Sequence, residues 1–251
     1  MFDLRLIRAE VLKLRRRRGM LSIVAGLTLG VVALAFGVTA IQHAGNPGRY
    51  GPAGGAANFK DALDVVMLLT IVAGAIVGST AGAQDLESGV FRDLAATGRS
   101  RVALFGARVT GAWVVVLPVA ALTAAAMAGA SVGLAGSLPA PSAAAVLAGT
   151  AGLLATAALS SAVAVGLSAL IGSRGPVIAI VLAFNLAIAQ ILVGISFLGD
   201  LRQAIPTVAL ARIAHANADV HTTLGVALAV VGAWVAAAFA AGAWRTKTRE
   251  I

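Results

Sequence analysis

The side chains able to do chemistry are few, and most stand at the ends of long apolar runs. His215, Asp219 and His221 share one short polar stretch and His43 stands apart. Three loosely spaced ligands fall short of the four convergent groups a structural metal site uses. No HExxH, GxSxG or paired buried carboxylate supplies a nucleophile with its base or metal. A membrane-embedded enzyme therefore has no candidate centre, and neither a catalytic nor a metal-ligating residue is assigned. None of the lysines, Lys13, Lys60 and Lys247, ends a GxxxxGK[ST] phosphate loop, so the chain carries no nucleotide site of its own. Cysteine is absent, which removes disulfides, thiolate ligands and thiol nucleophiles together.

One polar stretch reads as a device for contact and not for catalysis. It runs Gln84-Asp85-Leu86-Glu87-Ser88-Gly89-Val90-Phe91-Arg92-Asp93-Leu94 and on through Thr97-Gly98-Arg99-Ser100-Arg101. Asp85 suits an N-cap, Glu87 the positive end of a helix dipole and Gly98 a C′ position, so about three turns of helix fit between them. Leu86, Val90, Phe91 and Leu94 fall on one face of that helix. The alternative is a solvated turn whose apolar residues are incidental.

The elements that hold this stretch are membrane spans. Apolar residues make up 59% of the 251-residue chain and charged ones 12%, against about 45–50% and about 25% in soluble domains. The expected fold is all-α and polytopic, a single transmembrane domain over residues 1–251. Its six spans are Leu21–Ile41, Ala62–Gly82, Leu104–Gly136, Pro141–Ile171, Pro176–Leu198 and Thr222–Trp244. The third and fourth exceed a hydrocarbon core of about 30 Å, so tilting, a kink at Pro118 or projection into water is expected. Residues 1–19 precede them as an amphipathic interface helix, with Leu4, Ile7, Val11 and Leu14 on one stripe and Gly19 as the turn into the first span. A cleaved signal peptide fits poorly, because the basic region is too long and the apolar stretch exceeds the ~7–15 residues of a signal core.

Lysine and arginine set the orientation. Of 19, 15 fall on the side of the N-terminus, and Arg49, Lys60, Arg202 and Arg212 on the other, which puts both termini in the cytoplasm. The formal charge of +9 lies beside the spans, so anionic lipid headgroups are the expected partner and nucleic acid is not. Glycines spaced by four, at Gly74, Gly78 and Gly82, Gly26 and Gly30, and Gly129 and Gly133, are expected to mark close helix packing. Asn185 and Gln190 interrupt the fifth span and need partners, across a helix interface or in a wet cavity. Past Gly199, Pro206 is expected to start a short helix resting on the outer ends of the spans.

The order Glu87, Gly89, Phe91-Arg92-Asp93-Leu94, then Arg99-Ser100-Arg101 and Arg108 resembles the inner loop of permease subunits of the ABC type-2 exporter class. Gly166-Leu167-Ser168 through Arg174 resembles the short inner turn that this class has between spans four and five. The class more often has proline near Gly98. The resemblance implies that Asp85, Leu86, Glu87, Gly89, Val90, Phe91, Arg92 and Leu94 form a coupling helix seated on a separate cytoplasmic ATPase, which binds the ATP and magnesium. It implies a second permease copy or homologue, export through a bacterial inner membrane, and a route lined by spans two and five, hence Thr70, Asn185 and Gln190. A pathway of small apolar residues suits amphiphilic or hydrophobic cargo such as a drug, antibiotic, peptide or lipid. A channel or non-transporting scaffold needs neither the inner helix nor the ATPase.

Overall fold

The computed structural model describes residues 4–90, 100–216 and 221–248. Every regular element among them is helical, and six helices are long and apolar enough to cross a membrane. Helix α1 spans Leu4–Arg15, and the spans are α2 (Arg18–Gly45), α3 (Ala56–Glu87), α4 (Arg101–Gly133), α5 (Ala143–Ile171), α6 (Arg174–Gly194) and α8 (Leu224–Thr248). Between the last two lie a 3₁₀ segment, Ser196–Ala204, and α7, Pro206–Ala214. With no water to satisfy peptide groups in lipid, the helix is the form such apolar runs can take.

Helices α2 and α3 overrun the expected spans at both ends, whereas α5 matches its span to within two residues and α6 stops at Gly194, short of the expected Leu198. At about 1.5 Å per residue, the 32 residues of α3 extend roughly 48 Å, well beyond the hydrocarbon. Helix α4 passes through Pro118 without interruption. The corner between α1 and α2 falls at Arg17 (φ −84°, ψ 71°), not at Gly19, which lies inside α2. The reason is conformational: that corner uses negative φ, which any residue adopts, so glycine has no advantage there. Helix α7 begins at Pro206, as expected, and buries Val208, Leu210 and Ile213. It ends on His215 in the left-handed region (φ 52°).

Helix α5 is the centre of the bundle, with α3, α4, α7 and α8 packed around it. Of the most apolar stretch, 61% is buried within the chain in α3 and in α5, against 17% in α6 and 6% in α8. The outer spans therefore present most of their surface to lipid or to another subunit.

The glycine patterns separate sharply in the structure. A methyl group at Gly74 would overlap Ser160 Oγ, at Gly78 the Ser161 carbonyl, and at Gly82 the Cβ of Ser168. Here α3 and α5 approach backbone to backbone, the contact that small residues permit where lipid supplies no hydrophobic drive. The facing hydroxyls stay satisfied by their own helix: Ser160 donates to the Thr156 carbonyl at 2.7 Å, Ser161 to Ala157 at 2.6 Å and Ser168 to Ala164 at 2.7 Å. At Gly26, Gly129 and Gly133 an added methyl meets nothing. Those pairs share the spacing but not the contact.

Gly78→Ala should destabilise the bundle by about 1–3 kcal/mol through overpacking, whereas Gly129→Ala should be neutral or stabilising by up to about 1 kcal/mol. Thermal unfolding in detergent, followed by loss of the monodisperse elution peak, distinguishes the two variants.

Candidate functional site

The basic end of the bundle gathers the charged residues that the polar stretch introduces. Helix α3 carries its helical hydrogen bonding past Gly82 to Glu87 and closes at Ser88, and Gly89 then takes φ 74°. A positive φ suits glycine, which has no Cβ to clash, and it terminates the helix. Asp85 is therefore not the N-cap of a separate helix; it lies in the last turns of α3. Leu86 precedes the break and Val90 follows it, so the two do not share a helical face.

Two other helices supply cations to Asp85. Asp85 is 5% exposed. Lys13 Nζ, from α1, stands 3.1 and 3.0 Å from its two oxygens, and Arg108 Nη2, from α4, 3.0 Å from Oδ2. Glu10 Oε2 lies 2.6 Å from the same Lys13 nitrogen. Arg108 is 2% exposed and also directs Nη1 toward the Gly82 carbonyl at 3.5 Å. Among the described residues, two carboxylates thus meet two cations in a nearly closed compartment. An acid near the negative C-terminal end of a helix is unfavourable alone, and Asp85 is held there by its cations. Gly111 lets α1 come this close, since a Cβ there would stand 2.8 Å from the Glu10 Cβ. Burial raises the Glu10 carboxyl above its ordinary value of 4.5, with Lys13 opposing the shift.

Glu87, two residues on, points the other way. Its Oε1 accepts the main-chain N–H of Arg174 at 2.7 Å, and its Oε2 accepts Arg174 Nε at 2.7 Å. The inner turn it meets is short. Helix α5 runs to Ile171, Gly172 caps it at φ 84°, and Ser173 is extended before α6 begins. Gly166 and Ser168 are consequently not in the turn: Gly166 packs on the Ala238 backbone of α8 and Ser168 on Gly82. Arg101 Nη1 donates to the Lys247 carbonyl at 3.3 Å, which brings the end of α8 to this face as well. Phe91, Arg92 and Leu94 lie outside the described residues, as do Asp93 and Asp219.

The proposed pathway residues are not brought together. Asn185 stands in a π-helical segment of α6, Phe184–Ile188, and its Nδ2 donates to the Val181 carbonyl at 2.8 Å. It lines a largely apolar cavity with Ile71, Thr156, Ser160, Val181 and Trp234. Thr70 is buried and donates to the Val66 carbonyl of its own helix at 2.7 Å, so its neighbour Ile71, and not Thr70, faces the cavity. Gln190 lies on the exposed surface of α6. The residues that sequence reasoning missed are Glu10, Lys13 and Arg174 as partners. Arg108 offered a signal: a charge several residues into an apolar run needs a counter-charge nearby.

Removing the Asp85 carboxylate takes from Lys13 and Arg108 the anion that they share. Asp85→Asn should cost about 3–5 kcal/mol, the scale for breaking a buried pair. Glu10→Gln should cost less, because burial already disfavours the ionised Glu10 carboxylate in the folded state. With its folded pKa above the unfolded one, the Glu10 contribution to stability is full below 4.5 and is lost as pH rises through the folded pKa. The melting temperature of Glu10→Gln should therefore fall less than that of Asp85→Asn at pH 7.5, and its gap to the wild type should widen toward pH 5. A melting temperature lowered as far as that of Asp85→Asn would contradict this assignment.

No curated protein matches the chain. Residues 6–190 match the family model described as ABC-2 family transporter protein, a stretch that begins within α1, contains the buried charge group and the Glu87–Arg174 contact, and ends inside α6. With that match over most of its length, on a bundle of six membrane-length helices, the chain belongs to the ABC-2 transporter membrane proteins.

Proposed function

We propose that this chain is the permease subunit of an ATP-driven exporter in a bacterial inner membrane, with both termini in the cytoplasm. A separate cytoplasmic ABC ATPase binds ATP and magnesium, and engages residues 88–100. The observation that carries this reading is the pairing of the α3 end with α4: at the basic end of the bundle, Asp85 and Arg108 link those two helices to each other and, through Lys13, to α1. Force applied to residues 88–100 enters three helices together. The distribution of Lys and Arg supports a cytoplasmic location for this face.

A second permease copy, or a homologue, covers part of the apolar surface that α2, α6 and α8 leave open. The cargo is amphiphilic or hydrophobic, consistent with a cavity whose polar groups are Asn185, Thr156 and Ser160 among apolar walls. Nucleotide-driven closure of the ATPases does work on the bundle only to the extent that it favours one arrangement of these helices over another.

Phe91→Asp and Leu94→Asp test the reading. Both variants should insert and elute as the wild type does, yet lose stoichiometric co-purification of the ATPase and stimulation of its hydrolysis. Retention of both properties would remove residues 88–100 from the ATPase contact. Repeated absence of any ATPase beside the wild-type chain would favour a channel or scaffold.

A further inference from the structure

The contact between Glu87 and Arg174 is a helix cap supplied from elsewhere in the chain. Helix α6 opens with little help from its own sequence. Its N-cap residue Ser173 makes no side-chain hydrogen bond to the first turn, and Pro176 has no N–H to offer. The first turn of a helix leaves main-chain donors without intrahelical partners, and an anion there also meets the positive end of the dipole. Glu87 meets both needs, taking the Arg174 main-chain N–H and the Arg174 side chain on separate oxygens at 2.7 Å each. Capping groups ordinarily sit beside the helix they cap; this one is 87 residues away in sequence.

Its position on α3 gives the cap a second consequence. Glu87 is the last helical residue before Ser88 and Gly89, so it stands where α3 passes into residues 88–100. Helix α6 is otherwise lightly held, with 17% of its most apolar stretch buried. Along its length lie the π segment Phe184–Ile188 and Asn185 on the cavity. π segments form where the regular ladder is interrupted and mark places where a helix adjusts.

We infer that Glu87 is a positioning residue that fastens the first turn of α6 to the end of α3, so that displacement of that end is delivered to α6 and to the wall of the cavity. This rests on the permease reading above. The main-chain bond carries the link, and the exposed charge pair with the Arg174 side chain adds little, since solvent screens it.

The test uses the full chain in lipid nanodiscs with its co-purified ATPase, read by hydrogen–deuterium exchange. In Glu87→Ala, exchange in the peptide covering residues 172–178 should quicken by about 2- to 30-fold, the range expected for a lost cap. Glu87→Gln, whose amide oxygen still accepts, and Arg174→Ala, which keeps the main-chain N–H, should each change it less. Unchanged exchange in Glu87→Ala would overturn the cap. In the wild-type complex, ATP with vanadate should alter exchange across residues 174–194. That alteration should vanish in Glu87→Ala with the ATPase still bound, and survive in Glu87→Gln. Its persistence in Glu87→Ala would overturn the link. Failure of the wild type to retain an ATPase would count against the permease reading instead, and the exchange of residues 172–178 would still decide the cap.

Discussion

A carboxylate at the membrane boundary is tolerable only where cations meet it, and the basic end of this bundle is organised around one such group. Asp85 sits low in α3 and draws Lys13 from α1 and Arg108 from α4. The attraction would not repay dehydration if any member were mismatched, because buried ions lose several kcal/mol of hydration each. Glu10 adds a second carboxylate against Lys13. From this follow the seating of α1 on α3 and the close approach of α3 to α4 at this end of the bundle.

Packing within the lipid region follows a different rule. Helix α5 supplies serines and alanines to the glycines of α3, and glycines of its own to α7 and α8, with Gly152 against Ala214 and Gly166 against Ala238. Close backbone approach concentrates dispersion contacts where the hydrophobic effect cannot act. The inner pair α3 and α5 is consequently dense, while α2, α6 and α8 stand around it with open faces. The two regimes meet at Gly82, whose Cα faces Ser168 and whose carbonyl faces Arg108.

The sequence showed the spans well because hydropathy is a property of composition, and composition survives ignorance of contacts. It showed the start of α7 because Pro206 is a local signal. It misplaced the end of α3, which runs on to Glu87 and carries Asp85 to Lys13 and Arg108, partners 72 and 23 positions away. Glycine spacing alone could not separate Gly74, Gly78 and Gly82, which touch α5, from Gly129 and Gly133, which touch nothing, because the difference lies on the opposing surface. The pathway residues suffered the same way. Thr70 and Ile71 are adjacent in sequence, and only the rotation of α3 about its axis decides which one meets the cavity.

The π segment of α6 divides that helix into two pieces with a phase offset. An extra residue in one turn rotates everything beyond it by about 100° relative to an uninterrupted helix. The half that starts at Arg174 and the half that ends at Gly194 therefore show different stripes to their surroundings. The first places Val181 beside Ile71 and Ala75 of α3, and the second seats Ala189 among Ile205 and Val208 at the start of α7. Loss of a single residue between Phe184 and Ile188 would leave the hydropathy of the span untouched and yet turn the outer half away from its partners, a change to which a composition profile is blind.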